Sequence, residues 1–373
     1  MNQIDDGLHM EICQSSKVPQ VEWDDLLRSS DDVWFWHSWT WIEDVARAYS
    51  LENRYFVARE NGRNVGALPM QMARLSLHGR ECNRAYSLMM GCAGPFCIRG
   101  LQPKGRERIL SELTKAAIDW ARKTNIQVLV CSLPPLALSN LRNNRGVNPL
   151  VTAGWRDVSG HTLIANLSNS ESDLWSDLSH DARRSVKLAG SAGYTAERAN
   201  WIEMLDEYYR VYLETYGRTG GTPHPKGYIE ALAKTQEQGN AVFWVGRDPK
   251  GRSVAFHSDA RFRGGSWYSA GCCETEHLQS GVNYLLLWNA IVEAKRDGCK
   301  WYEIGEVYPQ TEQEKLRGLT VFKSKFGGEM YRSYQAEIRL FDWPPSSSRL
   351  IAAVLPAPLR RFLKSWLLGI TRS

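Results

Sequence analysis

Glu303, Glu306 and Lys323 are the residues of this chain whose types and setting point most directly to chemistry. The two glutamates fall late in the stretch CKWYEIGEV, which reads as a short strand. Lys323 stands between Phe322 and Phe326, just before Gly327-Gly328. Flanking aromatics strip water from an ammonium and strengthen its field at a nearby developing negative charge. A strand-end carboxylate takes a proton from an amine or orients it. A solvated lysine and a salt-bridged carboxylate are the plain alternatives. Arg183, Arg184 and Arg218 carry the planar forks that clamp phosphate or carboxylate, although a basic helix is commonly only a solvated face. Arg218 shares a Gly/Pro-rich stretch with His224, and Tyr268 offers a phenol that suits an acceptor or a core equally well. His37 and His257 read as packing residues.

These groups need elements to hold them. The run GVNYLLLWNAIVEAKRDG predicts an amphipathic helix with Leu285, Leu286, Trp288, Ile291 and Val292 as its apolar stripe and Gly298 as its stop. Helix, strand with terminal acids, polar loop, lysine: this order builds a site where a sheet opens. The same order occurs earlier in the chain. Tyr55 to Ala67 reads as a hairpin through Asn61-Gly62, and Val242 to Ala255 repeats it with one more turn residue. Ala117 to Arg122 leads into an apolar strand from Ile126 to Cys131, as Ala290 to Lys295 leads into Trp301 to Ile304. Recurrence at half the chain length implies two similar domains, not a solenoid. The expected boundaries are 1–165 and 166–345, with the strand His161 to Leu167 joining them and a tail at 346–373.

Bulk properties exclude several classes. In 373 residues, 43% are hydrophobic and 23% charged, as in folded globular domains, and the net charge is +5. That mild excess permits anionic partners, and the absence of Lys/Arg blocks makes DNA an unexpected one. Eight cysteines form no CxxC pair, so no metal site is expected. An acidic, polar start and the lack of a long apolar run predict a cytoplasmic protein without a spanning helix.

With these pieces in order, the chain resembles the FemAB-like branch of the GNAT acyltransferase superfamily. The resemblance rests on Leu178 to Arg184, Thr215 to Arg218 with the Pro-His-Pro loop, Trp267 to Gly271, Asn283 to Gly298, Trp301 to Gly305 and Gly318 to Gly328. It covers roughly 165–340 and reaches the first half only through the repeat. The resemblance implies an α/β (α+β) protein of two tandem GNAT-like domains, each a mixed, mostly antiparallel sheet flanked by helices. It implies transfer of an acyl or aminoacyl group to an amine of a cell-wall or polysaccharide precursor. The donor would be a co-substrate, aminoacyl-tRNA or acyl-CoA, with no bound cofactor. Phe322 and Lys323 then match a catalytic Phe-Lys pair, Lys323 facing the tetrahedral oxyanion and Phe322 shaping the donor site. Glu303 and Glu306 stand for the proton acceptor, Glu303 where the family often has Asp. Arg183, Arg184, Arg218, His224, Tyr268 and Asn283 form the candidate substrate-binding set. Ordinary GNAT members cradle the acyl-CoA pyrophosphate in a Q/R-x-x-G-x-G/A loop at a helix start. Here Leu278 to Asn283 occupies that place; Gly281 fits while Leu278 and Asn283 do not, which favours aminoacyl-tRNA or another donor over acetyl-CoA. An acetyl-CoA-dependent N-acetyltransferase and an inactive GNAT-fold binding protein at a membrane are the rivals.

Beyond Pro344-Pro345, Leu359, Phe362, Leu363, Trp366, Leu367 and Ile370 share one helical face, with Arg360, Arg361, Lys364 and Arg372 on the polar side. A basic amphipathic helix at 359–370 suits an anionic membrane surface and would make the protein peripheral on the inner face, while docking back on the body is the alternative.

Overall fold

The computed structural model describes residues 10–341 other than 75, 78, 79, 82, 144 and 145. The expected tail helix lies outside the described residues. These residues form two compact units, one running through Ser159 and resuming at Ser333, the other Gly160–Arg332.

In the first unit β1 (Met10–Ser15), α1 (Gln20–Arg28) and α2 (Trp39–Tyr49) precede β2 (Glu52–Glu60). The chain then turns into β3 (Arg63–Ala73), with Asn61 at φ 52° and Gly62 at φ 78°, the geometry an Asn-Gly hairpin requires. The short β4 (Ser76–Leu77), β5 (Arg80–Glu81), β6 (Asn83–Tyr86) and β7 (Phe96–Cys97) follow. α3 (Pro103–Lys123) buries Ile109, Leu110, Leu113, Ala117, Trp120 and Ala121 at helical spacing. It leads into β8 (Ile126–Ser132), parallel to β6, and then α4 (Leu138–Arg142) and β9 (Arg156–Asp157). The sheet order is β1-β2-β3-β6-β8, then a strand from far along the chain, Gln335–Arg339, then β9.

The second unit opens on β10 (Gly160–Asn166), α5 (Glu171–Asp177), α6 (His180–Ser191) and β11 (Thr195–Arg198). Next come α7 (Leu205–Thr219), α8 (Lys226–Lys234), β12 (Ala241–Arg247), β13 (Ser253–Phe262) and β14 (Gly265–Cys273). α9 (Val282–Arg296), β15 (Trp301–Val307), α10 (Glu314–Ser324) and β16 (Glu329–Ser333) complete it, and β17 is the strand Gln335–Arg339 already met. The sheet order is β11-β12-β13-β14-β15-β10-β16. Only β14 and β15 pair parallel among the ladders whose register is defined here. Both units are therefore mixed, mostly antiparallel sheets with helices, as expected.

Two expectations need correction. The strand near 161–167 does not merely join domains: β10 lies within the second sheet, antiparallel to β15. Residues 333–341 do not close the second domain, because β17 pairs with β8 and β9 in the first unit. The first sheet thus takes one strand, β17, from outside its main run of sequence. Ladder hydrogen bonds are made by backbone groups, so such a strand carries no distinguishing residue pattern. The helix at 282–296 formed as expected, but its buried face is rotated: Val282, Leu286, Leu287, Ala290, Ile291, Val292 and Ala294 are inside, with Leu285 and Trp288 half-buried.

Candidate active site

β14 and β15 run side by side only from Gly265↔Trp301 to Trp267↔Glu303. Beyond that point β14 keeps β13, and β15 keeps β10. Glu303 therefore sits where two parallel strands part. Its side chain is 3% exposed and accepts a hydrogen bond from Thr162 Oγ1 at 2.8 Å. Burial pushes its carboxyl up to about 8, the nearby Glu306 charge adding to the rise while Thr162 and Lys323 oppose it. Glu306, two strand positions past Ile304, is exposed and is held by the Tyr308 hydroxyl, which donates to its Oε2 at 2.7 Å. The first unit has the same parallel pair, β6 and β8, yet at the end of β8 stands Ser132, bonded to Ser87 and Gln335. Those are neutral groups where β15 carries carboxylates.

Lys323 reaches this opening from the last turn of α10. Its Nζ donates to the Glu306 carbonyl at 3.0 Å. Burial holds the ammonium below its usual range, against the pull of Glu306 and Glu303. The seat is made by Gly305, whose φ of +104° favours glycine; a Cβ there would lie 2.7 Å from Lys323 Nζ. β10 and β15 shift register opposite this point, between Leu163 and Ile164. Gly305→Ala is expected to lose about 1–3 kcal/mol to backbone strain and to displace the ammonium. Urea denaturation reads the first effect; a variant as stable as the parent would show that the backbone here relaxes freely.

The aromatic frame differs from the expectation. Phe322 and Phe326 share a cluster with Tyr284, with ring centroids 5.2–5.6 Å apart. The cation over that cluster is Lys325, 5.8 Å from the Tyr284 ring and 3.5 Å from Asp181. Residues 322 to 324 are helical, so Lys323 points about 100° away from Phe322. Its desolvation comes from its seat on β15, not from two flanking rings.

The candidate binding residues scatter. Arg183 Nη1 donates to the carbonyls of Ser176 at 2.9 Å and of Leu178, so the guanidinium closes the end of α5 instead of standing open as a clamp. Arg218 Nη1 donates to Thr275 Oγ1 at 2.8 Å and lies 3.4 Å from the Cys273 carbonyl, fastening α7 to the end of β14. His224 stacks on Tyr228 at 4.2 Å, and burial lowers it to about 4, so it is neutral at physiological pH. Tyr268 stacks on His257 at 4.5 Å. Asn283 lies in the first turn of α9 beside the Cys273 thiol. Arg184 is exposed on α6. The geometry thus gathers Glu303, Glu306 and Lys323 at one opening, while Arg183 and Arg218 serve the scaffold.

Several residues escaped the sequence reading. Thr162 supports Glu303 from 141 positions away. A lone glycine inside a strand signals a bulge or a close approach, so Gly305 was findable. Buried His257 Nε2 lies 2.8 Å from Asp259 Oδ1 and 3.1 Å from the Tyr302 hydroxyl, which donates to the same Oδ1 at 2.6 Å. The alternation of His257 and Asp259 along β13 was the available signal.

Residues 176–323 match the acetyltransferase (GNAT) domain family, so the second unit is a GNAT acyltransferase domain and the chain a GNAT-type acyltransferase. No curated protein sequence matches the chain. Among solved structures, that of FemX superposes with a TM-score of 0.65 at 14% identity, covering 88% of this chain and 97% of that one. L-PGS from Bacillus licheniformis gives 0.52 at 15% identity, over 84% and 91%. A tandem GNAT protein from the clavulanic acid biosynthesis pathway gives 0.51 at 13%, over 90% and 100%. The two-unit fold is the one the FemAB-like resemblance implies.

Proposed function

We propose that this protein transfers an aminoacyl group from aminoacyl-tRNA to an amine of a cell-wall or glycan precursor. The observation that carries the reading is the opening between β14 and β15, with buried Glu303 at its apex and Lys323 seated over Gly305. An acceptor amine arrives protonated. The exposed Glu306 carboxylate, oriented by Tyr308, attracts it. Glu303, in its ionised form, takes one proton from the ammonium and so frees the lone pair that attacks the ester carbonyl. Lys323 faces the oxygen of the tetrahedral intermediate; at its collapse a second proton passes from the nitrogen to the ester oxygen, so the amide forms and the hydroxyl leaves. Phe322 borders the donor; Arg184, His224, Tyr268 and Asn283 are the remaining candidates for substrate contact.

The start of α9 supports an aminoacyl ester over acyl-CoA. The Ser185 carbonyl oxygen presses against Gly281, 2.5 Å from where a Cβ would be, and Ser280 Oγ accepts the Val282 amide at 3.2 Å. An acceptor oxygen at a helix start repels a pyrophosphate. The C-terminal domain of a putative lysylphosphatidylglycerol synthetase from Agrobacterium fabrum, by its name concerned with an aminoacylated lipid, shares this fold with a TM-score of 0.52 at 13% identity. The work would be done at the cytoplasmic side of the membrane, where charged tRNA is available. Incubating the purified chain with labelled aminoacyl-tRNA or acetyl-CoA and a panel of amine acceptors tests this. Label entering acceptor only from aminoacyl-tRNA supports it; label only from acetyl-CoA, or from neither, rejects it.

A further inference from the structure

The outer face of α6 carries one candidate for substrate contact, Arg184, and no other group used above. Its inner residues Ala182, Val186 and Ala189 are buried. At helical spacing His180, Arg184, Lys187, Leu188 and Ser191 share the opposite face. Leu188, 55% exposed, lies one turn beyond Arg184 on that face. Arg184 makes no hydrogen bond or ion pair among the described residues. Lys187 Nζ lies 5.8 Å over the Trp175 ring, and Trp175 meets Trp288 edge-on at 5.0 Å, both indoles half-buried. The face thus carries an exposed aliphatic side chain and the Arg184 guanidinium, with Lys187 set over an indole at its edge.

We propose that this face of α6 docks on an anionic lipid bilayer. An interfacial helix buries its apolar residues at the headgroup boundary, places indoles at the same level and sets cations against acidic lipid. Two cations and an exposed leucine fit that surface. A phosphate backbone would use the cations but gain nothing from Leu188, which favours lipid over nucleic acid. The proposal goes beyond the transfer chemistry and does not depend on it, since binding is measured without turnover.

The test is co-sedimentation of the full chain with phosphatidylcholine vesicles lacking or containing phosphatidylglycerol. Binding is expected only when phosphatidylglycerol is present. Arg184→Gln with Lys187→Gln should weaken it roughly 30-fold at low salt, and less as salt screens the charges. Leu188→Ser should weaken it at every salt concentration. The three positions face solvent, so thermal melting of the variants should match the parent. The same changes placed in a Phe362→Ser/Trp366→Ser background separate α6 from the tail, and must weaken any binding that remains. The proposal fails if the full chain ignores anionic vesicles, or if the α6 variants bind them like the parent. It also fails if those variants lose retention of an oligoribonucleotide while vesicle binding stands, which would make the face a nucleic-acid surface.

Discussion

Replacing Lys323 by methionine is expected to slow transfer roughly 10²–10³-fold with folding intact, the usual loss for one donor facing an oxyanion. Methionine keeps the length and the apolar stem while removing the charge. The effect should fall on kcat, because the oxyanion exists only in the transition state and substrate binding does not sense it. The seat explains why the loss should be large. Lys323 is fixed by the Glu306 carbonyl at 3.0 Å above a glycine, so its field is aimed before substrate arrives. Lys323→Arg is a second check: the larger planar head does not fit the same seat and should restore little. An unchanged kcat in Lys323→Met, with both substrates saturating, would remove this lysine from the chemistry.

Glu303→Gln is expected to cost roughly 10²–10⁴ in rate, the range for a positioned general base. Glutamine can still accept the Thr162 hydrogen bond, so the opening should keep its shape. The pH dependence gives the sharper reading. Burial raises the Glu303 carboxyl to about 8, so the base form is scarce at neutral pH. kcat/KM should therefore climb with pH through about 8 and level off above it, and this limb should vanish in the variant. Stability should move oppositely. The unfolded carboxyl titrates near its ordinary 4.5, while the folded one holds its proton to about 8. The folded state binds the extra proton between these values, so its stabilising share is full at low pH and is lost as pH rises through 8. Melting temperature should fall across that window more in the parent than in Glu303→Gln. A pH–rate profile identical in parent and variant would assign the proton transfer to another group.

Much of the second unit was legible. The helical spacing of Val282 to Ala294, Gly298 at φ +85° behind α9 and the strand at 301–307 with its two acids all follow from local chemistry. Asn61-Gly62 fixed one hairpin for the same reason, because only residues tolerant of positive φ close that turn. The candidate site was legible in its residues and not in its geometry. The stretch holding Phe322 and Lys323 gave no clear period, and α10 buries none of its side chains, so its helical form left no stripe to read. Without the helix, the lysine seemed framed by two rings that in fact face Tyr284. Arg183 looked like a clamp because no sequence pattern shows that three carbonyls at the end of α5 lie within its reach.

The sequence by itself determined which residues carry acid, base and charge, and that the order of hairpin, helix and strand occurs twice. These are consequences of side-chain type and spacing within a dozen or so residues. The tertiary structure alone decided that β10 pairs with β15, that β17 completes the first sheet, that Thr162 backs Glu303, and that Gly305 seats Lys323. Strand pairing is made by backbone groups common to all residues, so it leaves no mark in side-chain pattern. The proton affinity of Glu303 likewise belongs to no residue of the chain alone: it arises from water excluded where β14 and β15 part.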